Sequence, residues 1–407
     1  MKTFGFIAVT TFCMMLFAQQ TEAKDVTITV KNNADVQRQE LVEVDAASVY
    51  KTLGIGKGEP FIVRNALGQE VAAQVTYDGK ILVDAAVRPM GTAVFTITKG
   101  TPKPMKTFVC GKQYPERVDD VAWENDRTAY RVYGPALQRS GERAFGVDVW
   151  VKNTPDLEVD KRYVTELSNH HKIQELKKAG KDREALEMTQ ATTYHYDHGY
   201  GLDCYKVGPT LGGGAPALMD DNGLILPYCY KTYEILDNGP LRFTVKLVYN
   251  PAKIGKDANV VENRLLSLDK GSNFNRMEVW FDGLTQPRKL AAGVVIHSED
   301  TESVVLGKDM VLYADPTDNP AKQNFQIYVG ALFPYGNVAT QRVADAVPVD
   351  GAAGHAVGVT EYKPGERFVY YFGSAWSKND VRTFNEWKLR ASETIDALRT
   401  PLKVTVE

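Results

Sequence analysis

From Val26 to about Lys99 the chain is cut into short runs that alternate apolar and polar residues, and this period fixes the fold class. Val26-Thr27-Ile28-Thr29-Val30 alternates with period two, and Leu41-Val42-Glu43-Val44 follows more loosely. Successive side chains of a strand point to opposite faces, so such runs bury one face of a sheet and wet the other. Turn signals separate them: Asn65-Ala66-Leu67-Gly68, Asp78-Gly79 and Pro89-Met90-Gly91. Strands punctuated in this way predict a small β-sandwich over residues 24–104, ending in the linker-like Gly100-Thr101-Pro102-Lys103-Pro104.

Residues 105–407 are predicted to be mostly β as well, with longer strands: Ala129 to Tyr133, Phe145 to Val151, Leu241 to Tyr249, Asn275 to Phe281, Ala291 to His297 and Arg367 to Phe372. So much antiparallel β is too large for one simple sandwich, and a large, curved two-sheet sandwich accommodates it. A helical insert, about 157–190, interrupts the strands. It breaks at Gly180, and Asp182 is expected to cap its second half. Its run of Lys172, Lys177, Lys178, Lys181 and Arg183 reads as a solvated face, with His170 and His171 facing solvent beside it. Ser377-Lys378-Asn379-Asp380 resembles a capping box. Val381, Phe384, Trp387, Ala391, Ile395 and Leu398 then recur at helical spacing, Pro401 ends the helix, and Lys403 to Glu407 can return as a strand. Trp376 and Trp387 are expected in the core.

The 407 residues carry a net charge of −3 with 43% hydrophobic and 24% charged residues, which places the chain among ordinary globular proteins and excludes a disordered or collagen-like one. Without a long basic run, nucleic acid is not an expected partner. Residues 1–23 read as a secretory leader: Lys2, an apolar stretch from Phe4 to Ala18, then Thr21-Glu22-Ala23 as a cleavage site. That stretch is too short for a membrane span, so an exported protein, periplasmic or secreted, is expected. Beyond the leader stand Cys110, Cys204 and Cys229, an odd number. Cys204 and Cys229 are the candidate disulfide pair, and the preferred reading makes all three small buried residues.

The densest chemistry lies at Tyr194-His195-Tyr196-Asp197-His198-Gly199-Tyr200-Gly201-Leu202-Asp203-Cys204-Tyr205-Lys206, followed by Gly212-Gly213-Gly214. If Thr193 to Asp197 is extended, His195 and Asp197 share one face and Tyr194, Tyr196 and His198 the other. The glycines would let the backbone turn sharply or approach a ligand closely. His195 or His198 with Tyr200 fits a general base and acid pair. On a uronic acid such a base would remove the C5 proton while Arg127, Arg131 or Lys206 neutralised the carboxylate. No resident metal is expected, although Asp197, His198 and Asp203 have ligand chemistry. There is no phosphate loop, no GxSxG elbow and no HExxH, which disfavours nucleotide binding and the commonest hydrolase and metalloprotease layouts.

A second cluster, Trp123-Glu124-Asn125-Asp126-Arg127, precedes the strand that carries Arg131, which sets acid, amide and guanidinium groups at a sheet rim. His297 ends an apolar strand and would face the same cleft. His355, among Gly351-Ala352-Ala353-Gly354, is expected in a mobile loop.

Glu124-Asn125-Asp126-Arg127, Tyr133-Gly134-Pro135, the Tyr194 to Gly208 run and the Phe384/Trp387 helix together resemble the secreted Bacteroidetes family catalogued as domain of unknown function 4861. The resemblance implies a glycan-utilisation setting and a galactose-mutarotase-like β-supersandwich, and it transfers no activity. The expected function is therefore carbohydrate-active, on acidic oligosaccharides, by acid/base chemistry such as β-elimination. His195 or His198 is the base, Tyr200 the proton donor, and Arg127 with Asn125 the carboxylate partners. Glu124, Arg131, Tyr194, Asp203, Lys206 and His297 would bind substrate. The scheme requires Arg127 and His195 to share one cleft. An epimerase or mutarotase with Glu124 as base, a glycoside hydrolase, and a non-catalytic sugar-binding protein remain open as alternatives.

Overall fold

In the computed structural model, residues 24–317, 324–344, 351–379 and 381–407 are described. The expected leader, residues 1–23, lies outside them. The described chain is mostly β. The period-two segments form a four-stranded sheet and a three-stranded one. In the first, Val26–Lys31 pairs antiparallel with Thr92–Lys99, which pairs in turn with Phe61–Asn65. In the second, Arg38–Asp45, Lys80–Val87 and Ala73–Val75 lie side by side. Ile28, Val30, Val42, Val44, Ile81, Val83, Phe95 and Ile97 face one another between the sheets as a separate core. The last strand, Lys403–Val406, joins the first sheet beside Val26–Lys31 rather than the larger sandwich, and Leu402 enters the same core.

The larger body is a two-sheet sandwich. One wall is nine-stranded and antiparallel, with Asp257–Asp269, Phe274–Asp282 and Phe368–Trp376 at its centre. The opposite wall consists of two five-stranded sheets. Gly212 joins them: it forms a parallel bridge with Val147, and its carbonyl accepts the Val295 N–H at 2.9 Å. Gly212 has φ +58°, and a Cβ there would stand 2.2 Å from the Val147 carbonyl oxygen. This glycine cluster thus serves the close approach of strand to strand, not the ligand approach read from sequence.

The first of those sheets positions the candidate residues. Its strands are Cys110–Tyr114, Asp120–Glu124, Thr128–Val132, Val147–Lys152 and Gly201–Asp203. Val121, Trp123, Tyr130, Val147, Val149, Val151 and Leu202 point into the main core. Strand alternation sends Asp120, Glu124, Arg131, Asp148, Trp150, Lys152 and Asp203 to the other face, where the helical insert covers them. Its helices, Val159–Lys178 and Asp182–Thr192, set Val159 and Tyr163 against Trp150 and Ala129. Asp182 is the first residue of its helix rather than the cap, a position held by Lys181. The lysine-rich run, His170 and His171 are exposed.

The C-terminal helix, Phe384–Arg399, buries Trp387, Ala391 and Ile395 against Phe274, Leu312, Tyr328 and Leu332 of the nine-stranded sheet. It begins later than the sequence box predicted. Thr383 caps it by accepting the Glu386 N–H at 3.2 Å, and the Glu386 carboxylate reaches back to the Arg382 N–H at 2.6 Å. Cys204 and Cys229 are buried and not joined to each other, while Cys110 is only half-buried. No helix among the described residues is long and apolar enough to cross a membrane.

Candidate functional site

Arg131 organises the covered face. Its guanidinium stands 2.6 Å from the Asp148 carboxylate, 3.0 Å from that of Asp203 and 3.7 Å from that of Asp120. Burial alone would depress its pKa, but Asp148 and Asp203 hold the guanidinium firmly charged. Arg117 approaches Asp120 at 3.9 Å and donates to the Tyr194 hydroxyl at 3.2 Å. Three carboxylates therefore face two guanidiniums, and Asp120, fully buried, has its pKa pushed up to about 6. The rings of Tyr194 and Trp150 stack at 4.6 Å over this layer. Tyr194, Arg131 and Asp203, expected on a substrate, are thus all but fully buried and bonded to one another's neighbours.

Glu124 and Lys152 form a second buried pair. Lys152 also donates to the Asn125 and Asp156 carbonyls at 2.7 Å, and the other Glu124 oxygen accepts the Val159 N–H at 2.7 Å. Glu124 therefore anchors the N-terminus of the insert, where the helix dipole favours a negative charge. Asn125 accepts the N–H groups of Arg127 and Thr128 and donates to the Asp269 and Ser272 carbonyls. That closes the turn and uses its amide fully. Arg127 sits on this turn. From the pairing register it stands two rows along and two strands across from Asp203, about 12 Å at ordinary strand spacing. The structure does not join Arg127 and Asn125 to His195.

His195 marks the exposed edge of the ionic layer. Thr193 to Asp197 is a turn rather than an extended segment, so the predicted alternation of faces does not hold. His195 Nδ1 lies 3.0 Å from the Asp203 carbonyl oxygen and 3.7 Å from its carboxylate, with the side chain 47% exposed. His198, also exposed, bonds through Nε2 to the Thr193 carbonyl at 2.9 Å. The Tyr200 ring lies between Lys161 and Arg162, at 4.7 and 5.3 Å. Asp197 accepts from Gly199 and Gly201 and pairs with Lys378. Asp197, His198 and Asp203 thus turn to different partners. Among the described residues, no group of three or more His, Cys, Asp or Glu is arranged to hold a metal ion.

His297 is held more tightly than His195. Its Nδ1 is 2.6 Å from an oxygen of the fully buried Asp315, its N–H donates to the Tyr313 hydroxyl at 2.9 Å, and its ring meets Tyr205 edge-on at 6.0 Å. The other Asp315 oxygen accepts the Thr317 N–H at 2.8 Å. Lys206, next to Tyr205, is exposed. Two imidazoles, each beside a buried carboxylate, thus flank the Asp203–Lys206 segment. His355 differs from expectation: it is fully buried in the strand Gly354–Tyr362, and its Nε2 accepts the Leu211 N–H at 3.1 Å.

The model of a family described as a domain of unknown function, DUF4861, matches residues 30–404. The chain belongs to that family. An uncharacterized protein P7 of Formosa agariphila is 26% identical over 428 aligned positions, covering 99% of this chain and 98% of its own. Among solved structures, an alpha-mannosidase from Enterococcus faecalis aligns with a TM-score of 0.48 at 8% identity, over 94% of this chain and 46% of that one. YidC from Thermotoga maritima aligns with a TM-score of 0.32 at 9% identity, over 72% and 56%. The DUF4861 chain spans about half the length of these solved structures.

Sequence reasoning did not single out Asp148, Asp315 or Lys152 in the DUF4861 chain, and a signal existed. In Val147-Asp148-Val149-Trp150-Val151-Lys152 the valines hold one face and Asp148, Trp150 and Lys152 the other, so the charges of that second face had to be either wet or covered by charges of opposite sign. Gly201 fixes Asp203 on this frame. Its φ is +108°, and a Cβ would lie 2.0 Å from the Val151 carbonyl oxygen. Gly201→Ala should therefore destabilise the fold by more than about 1 kcal/mol, read as a lowered urea midpoint. An unchanged midpoint would mean that the short strand carrying Asp203 is not held as described.

Proposed function

We propose that this chain is an exported carbohydrate-active protein that performs acid/base chemistry on uronic-acid residues of an oligosaccharide, most simply β-elimination. The observation that carries this reading is the pair of imidazoles flanking Asp203–Lys206, His297 oriented by the Asp315 carboxylate and His195 by the Asp203 backbone carbonyl. With Nδ1–H donated to Asp315, His297 presents Nε2 as the proton acceptor, an arrangement in which the carboxylate fixes ring orientation and tautomer. The C5 proton of a uronate is the proton to be taken. Lys206 is the cation offered to the substrate carboxylate, because Arg131 is enclosed by Asp148 and Asp203 and Asn125 by its own turn. His195 takes the outer position, toward the next sugar.

One observation favours a second reading. Arg131 lies among three carboxylates, so the layer beneath His195 is no anion receptor, and a neutral-sugar epimerase or mutarotase would need none. The test is product formation by protein lacking residues 1–23 on a panel of saturated and unsaturated uronate oligosaccharides and neutral sugars, with absorbance and mass followed together. New ultraviolet absorbance without added water mass is the expected result, and added water mass would mean hydrolysis instead. Lys206→Ala should raise KM for uronates about tenfold, the equivalent of about 1.4 kcal/mol, and leave neutral sugars unaffected. Turnover of neutral sugars alone would move the assignment to the second reading.

A further inference from the structure

The C-terminal helix covers only part of the outer face of the nine-stranded wall. Along Phe274–Asp282, Met277, Val279 and Phe281 point into the main core. Strand alternation sends Phe274, Arg276, Glu278 and Trp280 to the other side. The helix buries Phe274 there, and the rest of that row is only half-buried. Arg276 stands beside Ser267 and Tyr371 on the neighbouring strands, Glu278 beside Leu265 and Val369, and Trp280 beside Asn263. Arg367 lies over the Trp280 ring at 4.1 Å. Tyr77, on a turn of the small sandwich and 50% exposed, brings a third ring to this face. Its N–H donates to Asp237 at 2.8 Å, and Glu278 and Arg276 act electrostatically on its phenol.

The charges of this face are layered. The Glu278 carboxylate accepts from Arg276 at 2.9 Å and from Arg367. Burial alone would raise its pKa, yet the two guanidiniums hold it below the ordinary carboxylate range. Its side chain is 12% exposed, against 39% for Arg276 and 55% for Arg367, so solvent meets guanidinium rather than carboxylate. The remaining acids lie at the margins: Glu234 stands opposite Lys246, and Asp282 accepts from Asn263 at 2.8 Å. Exposed guanidiniums bind carboxylates through paired hydrogen bonds, and fixed aromatic rings offer apolar contact at low entropic cost. A sugar acid has the complement of both, a carboxylate and an apolar ring face.

We propose that this outer face is a second binding site, for an acidic oligosaccharide, in which Trp280 and Tyr371 stack on sugar rings while Arg276 and Arg367 pair with their carboxylates. It rests on the uronate ligand class given above, but it uses none of the residues of the imidazole site. From Arg276 to Trp280 the row extends about 13 Å at ordinary strand rise, so the face takes a chain of sugars rather than a single ring.

Trp123, Trp150, Trp376 and Trp387 are all but fully buried, so Trp280 is the tryptophan that a ligand meets. Titration with oligomers of galacturonate, glucuronate or mannuronate should change the tryptophan emission saturably for at least one of them. Trp280→Phe should abolish that change, and His297→Ala should leave it intact. Arg276→Gln, which keeps the ring, should weaken the binding about tenfold, the worth of a hydrogen bond to a charged group. Methyl esterification of the ligand carboxylates should weaken it at least as much. An emission change that survives in Trp280→Phe overturns the site, and so does an ester that binds as tightly as the acid. Unsaturated product from a wild type whose emission never changes overturns the site and leaves the elimination reading standing. An emission change without product on any uronate supports the site and overturns the elimination reading instead.

Discussion

His297→Ala should lower kcat on a uronate substrate by about 10²–10⁴-fold, the usual contribution of a positioned acid/base group, while the protein remains folded. The side chain is 10% exposed and its stabilising contacts are few: one bond to Asp315 and an edge contact with Tyr205. Asp315, fully buried, would retain the Thr317 N–H as a partner. Asp315→Asn should cost activity as well, because an amide no longer fixes the imidazole in the tautomer that leaves Nε2 free. Initial rates on the product-forming oligosaccharide, with a thermal melt of each variant, measure both effects. If His297→Ala keeps near-wild-type kcat and His195→Ala loses it, the base is the outer imidazole and His297 is structural.

The two histidines illustrate what the chain reveals of itself. The first strand was legible because Val26–Val30 alternates without a break, and alternation is a local property that burial on one face enforces. The C-terminal helix was legible from its apolar spacing, although its start moved to Thr383, because a cap depends on which residue closes the first turn and several nearby candidates fit. The candidate site was only half legible. Local density drew attention to the His195–Lys206 segment, but the partner of His297 lies on a different sheet, eighteen residues on, at the end of the strand Met310–Asp315. Nothing in one sequence pairs them. Conversely, Glu124, Arg131 and Asp203 have the residue types of a substrate clamp, and the fold uses them to hold itself together under the insert. An Arg beside acids looks the same in sequence whether it waits for a ligand or has already closed on its neighbours. His355 was misplaced for a related reason: its glycine-rich approach reads as a loop, while its own segment pairs with Arg288–Ile296.

The ionic layer has the largest expected effect on stability. Arg131→Met preserves volume but removes the cation that Asp148, Asp203 and Asp120 share, and breaking a buried ion cluster on one side typically costs about 3–5 kcal/mol. The uncompensated charges cannot reach water, because Asp120 and Asp148 are fully buried and Asp203 nearly so. The loss should depend on pH, with a sign fixed by Asp120. Its pKa is raised to about 6 by burial, against 3.8 for the ordinary carboxyl. A raised acid favours the fold in its neutral form, so its contribution is complete below about 3.8 and is lost as pH rises through about 6. Removing Arg131 takes away an attraction that holds this pKa down, which widens that window upward. The deficit of Arg131→Met should therefore be largest near pH 8 and shrink toward pH 5, where a proton takes the place of the missing guanidinium charge. Urea unfolding of both proteins at the two pH values measures it. A deficit below about 1 kcal/mol, the worth of an exposed pair, would show that the layer is hydrated. A deficit that grew on acidification would show that Asp120 is not the group taking up the proton. With the expected result, the insert is a cover that keeps a proton-hungry layer dry while leaving His195 at its edge.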